Sequence, residues 1–147
     1  MATSTQTVTG VDFICVPTED FEKSVEFYGG VLGLRESKQW GDMKGKEFET
    51  GSLTIAVMQS DAFGLEFAPH THPIAFQVDD VHAARADLEG KGVEFVQDTV
   101  DSGVCHMAYF SDPDGNGLML HHRYAPPAAK PTDLEATTAE PTGREAG

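Results

Sequence analysis

Residues 12–35 read DFICVPTEDFEKSVEFYGGVLGLR, and residues 72–93 read HPIAFQVDDVHAARADLEGKGV. Sliding the first stretch by 60 positions lays DFICV on HPIAF, Asp20 on Asp80, Phe21 on Val81 and Ser24 on Ala84. Each stretch opens with a short apolar, β-branched run and then changes to a period near 3.6, the mark of a strand leading into a helix. In the first, Phe21, Val25, Tyr28 and Leu32 share a helical face, with Asp20 as N-cap and Gly29–Gly30 or Gly33 as stops. In the second, Val81, Ala84 and Leu88 point inward, with Asp80 as cap and Gly90 or Gly92 at the end. The spacing predicts helices over 20–32 and 80–90.

A repeat of one supersecondary unit means that each copy has an apolar sheet face it cannot bury alone. The strands that complete each copy follow its helix. EFETGSLTIAVM, 47–58, reads as a hairpin. VEFVQD, 93–98, reads as a strand, and the run either side of DPDGN, 112–116, reads as a second hairpin. The fold class is therefore α+β: two βαβββ modules, about 8–68 and 71–124, forming a curved mixed β-sheet cup with helices outside. Residues 126–147, PPAAKPTDLEATTAEPTGREAG, contain Leu134 as their single large apolar residue and are read as a disordered tail, dispensable for stability.

The chain has 147 residues, with 24 acids against 10 bases, a formal net charge of −14. Most of that charge belongs to the part expected to fold, and a field of this sign repels phosphate backbones and anionic membranes. No stretch is apolar for ~18 residues, and MATSTQTVTG lacks the basic and apolar regions of a secretory signal. Two distant cysteines read as free thiols, so a cytoplasmic location is expected.

The two repeated stretches, together with MAYFSDPDGNGLML at 107–120, resemble the vicinal oxygen chelate superfamily over residues 8–124. That group includes glyoxalase I, bleomycin-resistance proteins, fosfomycin-resistance enzymes, methylmalonyl-CoA epimerase and extradiol dioxygenases. The resemblance implies a cup that in the enzymes holds a divalent metal, bound by a His or Glu near the start of each module and another on its last strand. It also implies a homodimer. Carried onto this chain, those positions are Phe13 and Pro73, then Ile55 and Met119. All four are apolar, and none suits a hard divalent cation.

The remaining candidates are histidines. If Ser111 faces Asn116 across the DPDG turn, counting outward sets His106 opposite His121, both on the face of Met119. Such a pair would ligate a divalent metal, with His72 as third ligand, or line a pocket with hydrogen-bonding groups. A one-residue bulge would turn Asp12 and His72 inward. His82 is read as surface, and His70 as a solvated loop residue. Cys15 shares the cup face with Phe13, as a small apolar residue or, beside a base, a nucleophile. Trp40, within the segment QWGDMKGKEFE at 39–49, is read as a cover over the cup or as loop packing.

The expected ligand-binding set is thus Phe13, Cys15, Trp40, Ile55, His106, Met119 and His121. Two functions follow. One is sequestration of a small apolar or aromatic molecule in the cup by a protein resembling bleomycin-resistance proteins. The other is a metal-dependent lyase, isomerase or ring-cleaving dioxygenase using the relocated histidines. Whether the protein is an enzyme stays open at this point.

Overall fold

The computed structural model describes residues 6–126. Two modules of like topology follow each other. The first runs β1 (Ile14–Thr18), α1 (Phe21–Val25), β2 (Arg35–Gln39), β3 (Gly45–Glu49) and β4 (Thr54–Gln59). The second runs β5 (Ile74–Gln77), α2 (Val81–Gly90), β6 (Val100–Asp101), β7 (Cys105–Ser111) and β8 (Gly117–Arg123). Each forms a four-stranded mixed sheet, in the orders β1-β4-β3-β2 and β5-β8-β7-β6. In both, the first and last strands pair in parallel and the remaining pairs are antiparallel. The α+β reading with two βαβββ units holds.

Both helices start where their capping aspartates place them. The Asp20 carboxylate accepts from the Lys23 amide at 3.2 Å, and Asp80 accepts from that of Ala83 at 3.1 Å. Each satisfies one amide left unbonded in the first turn. The first helix widens after α1 into π-helical turns over Glu26–Val31. The Gly29–Gly30 pair accommodates this. A Cβ on Gly29 would lie 3.2 Å from the Phe48 ring, and one on Gly30 would run into the Glu26 carboxylate. The stop expected at these glycines is thus a change of helical type, and the chain leaves the helix at Leu32.

Alternation along the strands divides each sheet into two faces. One is covered by helix and supplies the core: Val16, Ile55, Val57 and Phe48 from the first sheet, Ala108, Phe110, Leu118 and Leu120 from the second, with Tyr28, Phe27, Val81 and Leu88 from the helices. The other, here called the open face, carries no helix. Among the core residues Ser24 is fully buried, and its hydroxyl has no hydrogen-bond partner among the described residues. The repeat puts alanine at the equivalent position 84. Ser24→Ala removes a desolvated hydroxyl and a weaker helix former, so it is expected to stabilise the protein by about 0.5–1 kcal/mol. A rise of a few degrees in Tm by calorimetry would bear this out, and a fall would show that the hydroxyl has a partner.

Two elements depart from the sequence reading. VEFVQD does not form a strand: only Phe95 makes an isolated bridge, to Phe110, and the short β6 pairs with β7 instead. Arg85 explains the difference. Its guanidinium donates to the Gln97 carbonyl at 2.8 Å and the Thr99 hydroxyl at 3.1 Å, and lies 4.7 Å from the centre of the Phe95 ring. Side-chain bonds from α2 replace the ladder there. The segment 39–49 is likewise a hairpin, with the turn between β2 and β3, rather than a free cover. The expected disordered tail, 126–147, lies outside the described residues except for Pro126. Within them, the Pro126 carbonyl accepts two bonds from Arg123, at 2.9 and 3.1 Å.

The two modules are clasped by the DPDGN turn. The Asp112 carboxylate accepts from the Tyr28 hydroxyl at 2.6 Å, the Asn116 side chain at 2.8 Å, and the amides of Asp114 and Asn116, each at 2.9 Å. The Asn116 amide group in turn donates to the Pro17 carbonyl at 2.8 Å and accepts from the His70 amide at 3.0 Å. The Glu19 amide donates to Asp114 at 2.9 Å. Asp112, Asn116 and Tyr28 are all buried. A buried charge with four donors is satisfied, and it ties the start of the first module to the last hairpin of the second.

Candidate functional site

On the first sheet the open face is set by register. Cys15 pairs with Ala56 and Pro17 with Met58, while β3 sets Glu47 beside Ala56 and Gly45 beside Met58. Trp40, in the turn before β3, lies directly over Gly45, where a Cβ would stand 2.5 Å from the indole. Its indole N–H donates to the Glu47 carboxylate at 2.7 Å, and its ring meets Phe13 at 5.5 Å and Phe63 at 5.8 Å, both edge to face. Glycine at 45 lets the indole lie flat on the strand. Three aromatic rings and a fixed carboxylate therefore share one surface with Cys15. Burial pushes the Cys15 thiol above its usual range, which disfavours the thiolate that nucleophilic chemistry needs.

Ile55 is not part of this surface. It pairs with Ile14 and Phe48 on the helix face and is buried in the core. The residue of β4 that faces outward beside Cys15 is Ala56, one position later. The loop before β4 sets this phase: the hairpin ladder closes at Glu49 and Thr54, so counting from the turn glycine loses one residue.

On the second sheet the open face carries Ala75 and Gln77 from β5, Met119 and His121 from β8, and Met107 and Tyr109 from β7. Met119, expected on this face, is there. The expected histidine pair is not. Ser111 pairs with Gly117, so His106 stands opposite His122, and His121 stands opposite Met107. His106 and His121 consequently occupy opposite faces of the sheet. His106 sits on the helix side, its ring 5.1 Å from His82 and 4.8 Å from Tyr124, its Nε2 3.5 Å from an Asp101 oxygen. The other Asp101 oxygen accepts from the Tyr124 hydroxyl at 2.7 Å and the Gly103 amide at 2.9 Å; these bonds hold its carboxyl below the usual range. His82 is thus a packing partner of His106 as well as a surface residue.

Asp12 and His72 are both exposed in the segments ahead of β1 and β5, and the ladders that follow, from Ile14 and from Ile74, run without a register shift. His70 is not a free loop residue: its ring lies 3.1 Å from the Gly117 carbonyl, within the clasp. Among the described residues, no group of three His, Cys, Asp or Glu side chains is placed to hold a metal ion. The central inward positions of the first and last strands, where each pair meets across the parallel ladder, are Cys15 with Ala56 and Ala75 with Met119, with His121 one step further along β8. That donor set does not fit a hard divalent cation.

Residues 10–120 match the family model of the Glyoxalase/Bleomycin resistance protein/Dioxygenase superfamily. The chain belongs to this superfamily. It is 29% identical over 135 residues to a lactoylglutathione lyase of Schizosaccharomyces pombe, matching 71% of this chain and 44% of that protein, so it spans less than half the length of that relative. It is 31% identical over 114 residues to the Bacillus subtilis protein YraH, across 69% of this chain and 89% of the relative. A crystal structure of the fosfomycin resistance protein FosX from Listeria monocytogenes superposes with a TM-score of 0.64 at 24% identity, over 78% of this chain and 93% of that one. At that identity the likeness shows the fold alone.

Within the superfamily fold, sequence reasoning found Phe13, Cys15, Trp40, Met119 and His121 on the open faces and missed Glu47, Ala56 and Tyr109. Glu47 left a readable signal, since alternation from Gly45 puts it on the same side as the residue beneath Trp40. No described helix is long and apolar enough to cross a membrane.

Proposed function

We propose that the protein binds a small apolar or aromatic molecule against the open faces of its sheets, as a homodimer and without a metal. The observation that supports this reading most is the composition of the open face. Phe13, Trp40 and Phe63 form an aromatic surface beside Cys15 and Ala56, and Met107, Tyr109 and Met119 form a second surface around His121. Mostly apolar walls with a few placed polar groups are what small-molecule sites have. Glu47 and His121 supply the polar groups. Phe13 remains 39% exposed, a large apolar side chain with room for a ligand or for a second copy to cover it. Lyase chemistry is not part of this reading, because the four positions Cys15, Ala56, Ala75 and Met119 carry neither a carboxylate nor an imidazole.

The test uses the single tryptophan. A neutral aromatic probe such as 1-naphthol should quench or shift Trp40 fluorescence saturably. Phe13→Ala and Met119→Glu should each weaken binding about tenfold, the cost of losing a buried apolar contact. Light scattering should give twice the chain mass at micromolar concentration. Binding unaffected by either substitution would sink the site, and a monomer would remove the dimer.

A further inference from the structure

We propose that the groove between the two modules, on the helix side of both sheets, binds a small apolar molecule carrying a positive charge. The groove encloses about 610 Å3. Ile14, Leu34 and Ile55 wall it from the first module, and Ile74, Phe76 and Leu88 from the second. These residues lie on the helix side, and Ala75 and Gln77 join the lining at the edge of β5; neither Trp40 nor Met119 lines the groove, so the inference does not depend on the function proposed for their surface.

Three observations select the ligand. First, the walls are mainly aliphatic, and the volume falls in the range of small-molecule sites. Second, β5 is an edge strand, and every residue from Ile74 to Asp79 lines the groove. The Val78 amide donates to the His121 carbonyl at 3.0 Å, toward β8. By alternation, Ala75 and Gln77 turn their backbone N–H and C=O groups the other way, to the unpaired edge. That edge offers carbonyl acceptors, and amide donors beside them, to a ligand with polar hydrogens. Third, the charge at the rim has one sign. Asp79 and Asp87 line the groove, and among the described residues no lysine or arginine does. Asp87 is met by Lys91 at 3.3 Å, but Asp79 forms no ion pair among the described residues. An apolar body ending in a protonated amine meets all three features. An anion of the same shape could use the edge amides but would face the unpaired Asp79 carboxylate, so the charge preference rests on Asp79.

The matched probes are 1-naphthylmethylammonium and 1-naphthylacetate, added to the full chain and followed by amide chemical shifts in 15N-labelled protein. The cation should shift the amides of Ala75, Gln77 and Leu88 saturably, and bind at least fivefold tighter than the anion. Asp79→Asn, a surface change that leaves the fold intact, should weaken the cation roughly two- to fivefold, as expected for an exposed ion pair, and leave the anion unchanged or improved. Ala84→Phe, which fills the groove from α2, should abolish both sets of shifts. Equal affinity for the two probes, or shifts centred on Trp40 and Met119 instead, would overturn the assignment. So would a cation response unchanged in both variants.

Discussion

Replacing Asp112 with alanine should lower the free energy of unfolding by about 3–5 kcal/mol, the range for removing one partner from a buried, hydrogen-bonded charged network. The carboxylate accepts four hydrogen bonds, and its loss strands the Tyr28 hydroxyl, the Asn116 side chain and two turn amides at a buried site. For a domain of this size that corresponds to a fall of roughly 10–20 °C in Tm. Urea unfolding followed by Trp40 fluorescence and by circular dichroism gives the number. Asp112→Asn should cost less, since one oxygen remains to accept. A loss under 1 kcal/mol for the alanine variant would mean that water enters and satisfies the stranded donors.

Alkaline pH should weaken the same clasp from the other side. The Tyr28 phenol is fully buried against Asp112, and burial, together with that carboxylate, raises its pKa far above the ordinary value near 10. The folded protein therefore keeps the proton, while the unfolded chain releases it above pH ~10. Folding then requires taking a proton up, so this contribution is fully present below pH ~10 and declines as pH rises, by about 1.4 kcal/mol per unit. Tyr28→Phe should be about 1–3 kcal/mol less stable than the parent at pH 7, because Asp112 loses a donor. Between pH 10 and 12 that gap should close, since phenylalanine has nothing to ionise. Parallel stability curves for the two proteins across that interval would exclude the mechanism.

The repeat and its punctuation were legible because they are local. Asp20 and Asp80 cap their helices through bonds that span three residues, and the change of period after each first strand needs no tertiary help. The register of the last hairpin was not legible, for a physical reason. Counting from DPDG makes Ser111 face Asn116, but Asn116 leaves the ladder to bond Asp112, Pro17 and His70. The pairing moves one residue on, to Gly117, and every side chain before it changes partner. Contacts 99 and 46 residues away in sequence thus decided which histidine faces which side. The open face fared better where a residue's role rests on its own strand, as with Cys15 and Met119. It fared worse where a loop sets the phase, as with Ile55 and Ala56.

The clasp also sets a timetable for synthesis. Tyr28 is 84 residues ahead of Asp112 in the chain, and Pro17 is 99 ahead of Asn116. At roughly 5–20 residues added per second, the phenol's partner is translated some 4–17 s after the phenol itself. During that interval the first module lacks the second half of the shared core, and its Tyr28 hydroxyl and Pro17 carbonyl must be served by water or by a neighbouring chain. A chain further along the same messenger already carries the complementary second module, so pairing of a first module with another copy's second module competes with closure within the chain. Slowing translation between residues 60 and 110 should shift that competition, and the ratio of monomer-closed to exchanged product would record it.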